Sequence, residues 1–150
     1  LAPAITKSER QMFRDALADF DMGLEDRMNT KVGLLSGGQR QVVTLLMATL
    51  VPPRLLLLDE HTAALDPATA EKVMEITKRI VERENLTTLM ITHNVKSALE
   101  TGDRTIMLDA GDIIFDIGKE ERIGMTVEDL MKKYSNKKHE EFDNDRAIFS

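Results

Sequence analysis

The stretch RLLLLDE, Arg54 to Glu60, decides the fold class of this 150-residue chain. Four consecutive leucines without polar alternation, ended by two acids, form the pattern of a parallel strand buried on both faces, and so of a central strand. In open α/β sheets ligands gather outside the carboxyl ends of the strands, so a buried strand delivers Asp59 and Glu60 to a fixed place of that kind. An acid there can hold Mg2+, usually through water, and its neighbour can orient or deprotonate an attacking water. The plain alternative is a pair of solvated acids that begin a loop.

Working outward, Asp66 and Pro67 supply an N-cap and a proline at the first helical position. They open a helix through about Glu84 with Val73, Met74, Thr77, Ile80 and Val81 facing inward. TTLMITH, Thr87 to His93, is a second buried strand. If it runs parallel to the first, His93 leaves at the same sheet edge as Asp59 and Glu60 and can reach the same ligand. A lone histidine is ordinarily structural or merely exposed, and His61 and His139 have no comparable support. A short helix over Val95 to Glu100 ends at Gly102 and leads to the strand RTIMLD. The turn Ala110-Gly111-Asp112 then joins that strand to IIFDI as a hairpin. Strand and helix alternate, which is the α/β class. A last helix begins at Thr126, capped with Asp129 at the third position, and ends near Tyr134. The segment 136–150 is mixed in charge and expected to be a loose tail.

Upstream, Thr6 with Glu9 three positions on caps a helix that places Met12, Phe13, Ala16, Leu17 and Phe20 on one face and stops near Gly23. A polar connection follows, and then LLSGGQRQ, Leu34 to Gln41. Ser36 is an N-cap there, and GGQRQVVTLLMATLV reads as a largely buried helix running to Pro52 and Pro53. Gly37 and Gly38 fall in its first turn, although each glycine costs roughly 1 kcal/mol relative to alanine inside a helix. One reason to place them there is close approach of backbone to a phosphate. The first turn exposes unpaired N–H groups and the positive end of the helix dipole, where anions bind. A tight turn into a helix accounts for the same residues without a ligand, and a helix cap accounts for Asp66.

The bulk composition sets limits on this reading. With 42% hydrophobic and 31% charged residues the chain is long enough to bury a core. A net charge of −6 argues against holding nucleic acid through a broad basic surface. There is no cysteine, which excludes disulfides and thiolate metal sites and fits a reducing compartment, with the cytoplasm as the default. No apolar run approaches the roughly 18 to 20 residues that span a bilayer, and no signal pattern is seen. The chain begins at Leu1 rather than methionine and is expected to be a piece of a longer product.

In order and spacing the motifs together resemble the ATPase subunit of ABC transporters over about Gly23 to Gly118. LSGGQ at Leu35 to Gln39 matches that family's signature, and LLLLDE at Leu55 to Glu60 matches its Walker B strand with the following glutamate. AALD at Ala63 to Asp66 matches the D-loop, ITHN around His93 matches the switch histidine, and Asp103-Arg104 with IMLDAGDIIFDIG looks like the closing hairpin. His61 departs from the commonest pattern, DEPT, which has proline there. The resemblance implies a partial P-loop NTPase fold. Residues 1–52 are a helical portion with the signature helix, and residues 53–135 are the C-terminal part of a mostly parallel sheet with flanking helices and a terminal hairpin.

The resemblance also implies roles. Ser36, Gly37, Gly38 and Gln39 would serve ATP held by a second ATPase subunit paired head to tail. Asp59 would hold Mg2+, Glu60 would be the base or water-orienting residue, His93 would contact the γ-phosphate, and Asp66 would lie in the dimer D-loop. The implied partners are transmembrane permease subunits and a substrate-binding protein, with the subunit peripheral on the inner face of the membrane and no nucleic acid bound. A P-loop, GxxxxGK[ST], should precede these motifs. These 150 residues hold none, since Gly118-Lys119 is followed by Glu120 and no glycine stands at the required offset before it. The adenine-stacking aromatic and the glutamine loop are absent as well. The chain alone is therefore expected to be inactive. The alternatives are a short non-catalytic module that donates its signature to a complete ATPase, or a non-transport ABC ATPase.

Overall fold

The computed structural model describes residues 5–148, with side chains through residue 137. Residues 1–4 of the predicted helical portion and 149–150 of the predicted tail lie outside the described residues. The chain divides into two units, one ending at Ile91 and the other beginning at Thr92.

In the first unit α1, Lys7–Ala18, starts as expected. Glu9 N–H donates to Thr6 Oγ1 at 3.2 Å and Thr6 N–H donates to Glu9 Oε2 at 2.8 Å, a reciprocal capping box. Its apolar face is covered only toward the end. Phe20 is buried and Leu17 packs against the core, but Met12 and Ala16, read from sequence as part of the same face, are exposed. A 3-10 turn at Val32–Leu34 then leads into α2, Gly37–Thr49.

Helix α2 departs from the largely buried helix expected. It buries a single stripe, Gly38, Val42, Leu45 and Thr49, against α3, while Met47, Leu50 and Val51 are exposed. The stripe has helical spacing, and α3 is the one helix packed closely on it among the described residues.

β1, Leu56–Asp59, pairs parallel with β2, Thr88–Ile91, in register from Leu56↔Thr88 to Asp59↔Ile91. Burial on both faces, expected from the leucine run, is not found. Leu56 and Leu58 are buried, but Leu57 is 65% exposed beside Leu89 at 52%, and no residue of β2, also expected to be buried, is fully covered. Strand side chains alternate between faces, and within this unit the core covers only one of them. The predicted central strand thus belongs to a two-stranded parallel sheet, and the third strand pairs elsewhere.

α3, Pro67–Arg83, carries the centre of the core, with Val73, Ile76, Thr77 and Ile80 buried. It ends in a Schellman motif. Asn85 takes the left-handed φ of 48°, Leu86 N–H donates to Val81 C=O at 2.9 Å, and the buried Leu86 seals the end. Phe20, Leu24, Leu35, Val42 and Leu45 share one cluster with Leu56, Leu58 and these α3 residues, so residues on both sides of Pro52 build one core.

The second unit opens with α4, Val95–Glu100, capped by Asn94, whose Oδ1 accepts from Ser97 N–H at 3.0 Å. β3, Arg104–Asp109, and β4, Asp112–Gly118, form an antiparallel hairpin. Its two-residue turn has φ of 50° at Ala110 and 94° at Gly111, both positive as a type I′ turn requires. A short α5, Lys119–Arg122, sends the Arg122 guanidinium back to the carbonyls of Leu99, Thr101 and Gly102 at the end of α4. α6, Val127–Ile148, begins at the predicted Thr126 cap but runs well past Tyr134. No Gly or Pro stands between Ser135 and Ile148 to stop it. Among the described residues no helix is long and apolar enough to cross a membrane.

Candidate functional site

The parallel pairing that sequence reasoning requires is present, and it fixes where the acids stand. Asp59 is the last residue of β1, opposite Ile91, and is exposed. Glu60 follows immediately; its N–H donates to Ile91 C=O at 3.0 Å, and its φ of 43° is left-handed, a conformation uncommon outside glycine. Backbone strain therefore falls on the residue immediately after the strand end. His93 follows Ile91 by two residues, is exposed, and belongs to the second unit.

An opening of about 150 Å3 lies between α2 and β1, lined among others by Gln41, Thr44, Leu45, Leu58, Asp59 and His61. Its lining is mostly apolar, with Leu45, Ala48, Leu56, Leu57 and Leu58 among the residues, so what Asp59 offers a cation is its exposed carboxylate at the strand end. Mg2+ binds in that manner, through one or two carboxylates, waters and substrate phosphates. Among the described residues no group of three or more His, Cys, Asp or Glu side chains could hold a metal ion.

The Ser36 to Gln39 segment forms the start of α2, and its side chains already have work within the chain. Ser36 Oγ accepts from Gln39 N–H at 3.2 Å, and Gln39 Oε1 accepts from Ser36 N–H at 3.1 Å, completing a second capping box. Gln39 Nε2 donates to Met22 C=O at 2.9 Å. Accepting leaves the Ser36 hydroxyl its own proton to give, and the first-turn N–H groups of Gly37 and Gly38 have no acceptor within the helix.

The glycines also have an intrachain reason that sequence reasoning missed. A Cβ on Gly38 would come 2.3 Å from Thr69 Cγ2 and 3.2 Å from Met22 Cε; one on Gly37 would come 2.9 Å from Leu65 Cδ2. The close approach they permit includes helix against helix. No signal in the local sequence points to Thr69, because the contact is tertiary.

Asp66 caps α3, its Oδ1 accepting from Thr69 N–H at 3.1 Å. Hydrogen bonds from the Thr69 side chain and backbone hold its carboxyl below the ordinary range. His61, given no role from sequence, is half-buried with its Nε2 3.1 Å from Thr77 Oγ1, and burial pushes its ring below the usual histidine range.

Residues 5–63 match the family model described as ABC transporter. The chain is 48% identical over 118 residues to the tyrosine transport ATP-binding protein of Clostridioides difficile (strain R20291), covering 79% of this chain and 47% of that protein. It is 36% identical over 136 residues to the phosphonates import ATP-binding protein of Lactobacillus johnsonii (strain CNCM I-12250 / La1 / NCC 533), covering 91% of this chain and 53% of that one. The chain thus spans about half the length of the curated relatives it matches. A dimeric bacterial ABC transporter cassette superposes with a TM-score of 0.61 at 30% identity, over 79% of this chain and 51% of that one. A post-hydrolysis dimeric cassette bound to ADP and Pi superposes with a TM-score of 0.57 at 30% identity and the same coverage of both chains. With nearly half its aligned residues shared with a transport ATP-binding protein over most of its length, this chain belongs to the ABC transporter ATP-binding family.

Proposed function

We propose that the intact protein is the ATP-binding and hydrolysing subunit of an ABC importer, working as a head-to-tail dimer on membrane permease subunits fed by a substrate-binding protein. The names of its relatives, which concern tyrosine, phosphonate and sulfonate transport, support import as the direction. The dimeric cassettes among its structural likenesses support pairing. In this reading the subunit sits on the inner face of the membrane.

The observation that carries the reading is the end of β1, where a parallel pair presents Asp59 and Glu60 side by side at its carboxyl edge. ATP with Mg2+ supplies the transferable phosphoryl group and the charge that neutralises it. Asp59 holds the cation through water. The Glu60 carboxylate orients the attacking water and can take its proton as the new oxygen–phosphorus bond forms and the bond from the γ-phosphorus to the departing ADP oxygen breaks. His93 contacts the γ-phosphate. Across the dimer, Ser36 donates its hydroxyl proton, and Gly37 and Gly38 their N–H groups, to phosphate oxygens on the partner's nucleotide. Gln39 holds that helix start in shape, and Asp66 lies at the dimer contact. Positioning and charge stabilisation carry phosphoryl transfer, so each of these groups acts by where it is held.

Hydrolysis by the complete subunit in its transporter tests this. Glu60→Gln keeps the size of the side chain and removes the base; turnover should fall by about a hundredfold or more with ATP still bound. Turnover equal to the parent's would show that Glu60 does not have this role.

A further inference from the structure

His61 departs from the family pattern, and the function proposed above leaves it unused. Its Nε2 lies 3.1 Å from Thr77 Oγ1. The Thr77 hydroxyl gives its single proton to Val73 C=O at 2.8 Å, so toward the imidazole it can only accept. With the Thr77 proton on Val73 C=O, the contact is made by the His61 tautomer carrying its proton on Nε2. Thr77 is 3% exposed, on a helix anchored by the buried Val73, Ile76 and Ile80, so the acceptor is a fixed point.

The residue tethered there follows Glu60 directly. A left-handed φ costs a non-glycine residue roughly 1–2 kcal/mol and persists where the surroundings over-determine it. On the strand side Glu60 N–H is held by Ile91 C=O; on the other side Glu60 C=O accepts from Ala63 N–H at 2.9 Å. A proline at position 61 would fix its own φ by its ring, whereas a histidine leaves that angle free. The turn then needs a restraint from elsewhere, and the Thr77 hydroxyl offers one.

We propose that His61 is a positioning residue: by donating from Nε2 to Thr77 Oγ1 it locks the turn after β1 and holds the Glu60 carboxylate where hydrolysis requires it. This rests on the role given to Glu60 above. Displacement of a catalytic group by an ångström can cost about a hundredfold in rate, so a loosened tether should be visible in turnover.

The experiment compares His61→Ala, Thr77→Val, their double variant, His61→Gln, Thr77→Ser and Glu60→Gln in the complete subunit assembled with its transporter. His61→Ala and Thr77→Val should each lower kcat about tenfold, with KM for ATP within about twofold of the parent. The double variant should fall no further than either single one. His61→Gln, whose amide N–H can stand in for the imidazole donor, and Thr77→Ser, which keeps the acceptor, should restore most of kcat. Additive losses, failure of both rescues, or parental kcat per active site with only a lowered Tm would overturn the tether. If Glu60→Gln abolishes turnover while His61→Ala and Thr77→Val keep it, the tether is wrong and the reading of Glu60 stands. If Glu60→Gln itself keeps turnover, the reading of Glu60 fails and the catalytic purpose of the tether falls with it.

Discussion

β1 and β2 are joined through the whole of α3, whereas β3 and β4 are joined by Ala110 and Gly111 alone. The hairpin is a local object: its turn residues and cross-strand partners lie close in sequence, and the Arg104–Asp116 ion pair closes its open end. The parallel pair is held from a distance, since Leu56 and Leu58 share one buried cluster with Val73, Ile76 and Ile80 of α3. The difference teaches where chemistry can be placed reliably. Asp59 and Glu60 stand on the strand pair whose geometry is set by a core, and their position is only as good as that core.

The sharpest way to break this comparison is Ile76→Ala. Ile76 is fully buried, so the change should cost about 2–5 kcal/mol. Native-state hydrogen exchange should show β1 and β2 amides losing protection while β3 and β4 amides keep theirs; equal loss in both pairs would mean that the two stand or fall together. A smaller effect is expected from Gly38→Ala. Its Cβ must displace Thr69 on α3, which should cost about 1–3 kcal/mol against a helix-propensity gain of about 1 kcal/mol. A rise in Tm for this variant would show that α2 and α3 yield more easily than their packing implies. The smallest effect lies in the hairpin. Ala110 carries φ of 50°, and Ala110→Asn should stabilise the type I′ turn by up to about 1 kcal/mol. Protection should rise in β3 and β4 only, and a rise in β1 and β2 as well would blur the distinction.

What could be read from the sequence follows the same division between local and distant causes. The caps at Thr6, Ser36, Asp66 and Thr126 depend on residues three positions apart, and all four form as expected. The Ala110-Gly111 turn and the parallel direction of β1 and β2 were equally legible, and with them the edge that presents Asp59 and Glu60. Which faces are covered was not. Four leucines read as buried twice over, yet Leu57 is exposed, because burial depends on what other elements reach the strand. His61 lies 16 residues from the Thr77 hydroxyl that holds it, and Gly38 lies against Thr69 of another helix. No periodicity or spacing encodes either neighbour.

Gly38 carries a consequence for how this family's sequences change over time. Because a methyl group there meets Thr69 before any nucleotide is considered, folding contributes to keeping the glycine. A descendant that had lost hydrolysis could go on displaying an intact signature for as long as α2 and α3 stayed packed. Survival of that glycine therefore records a preserved helix contact as well as any hold on a nucleotide, and decay of activity should be sought first at Glu60, whose left-handed backbone is costly for a residue other than glycine.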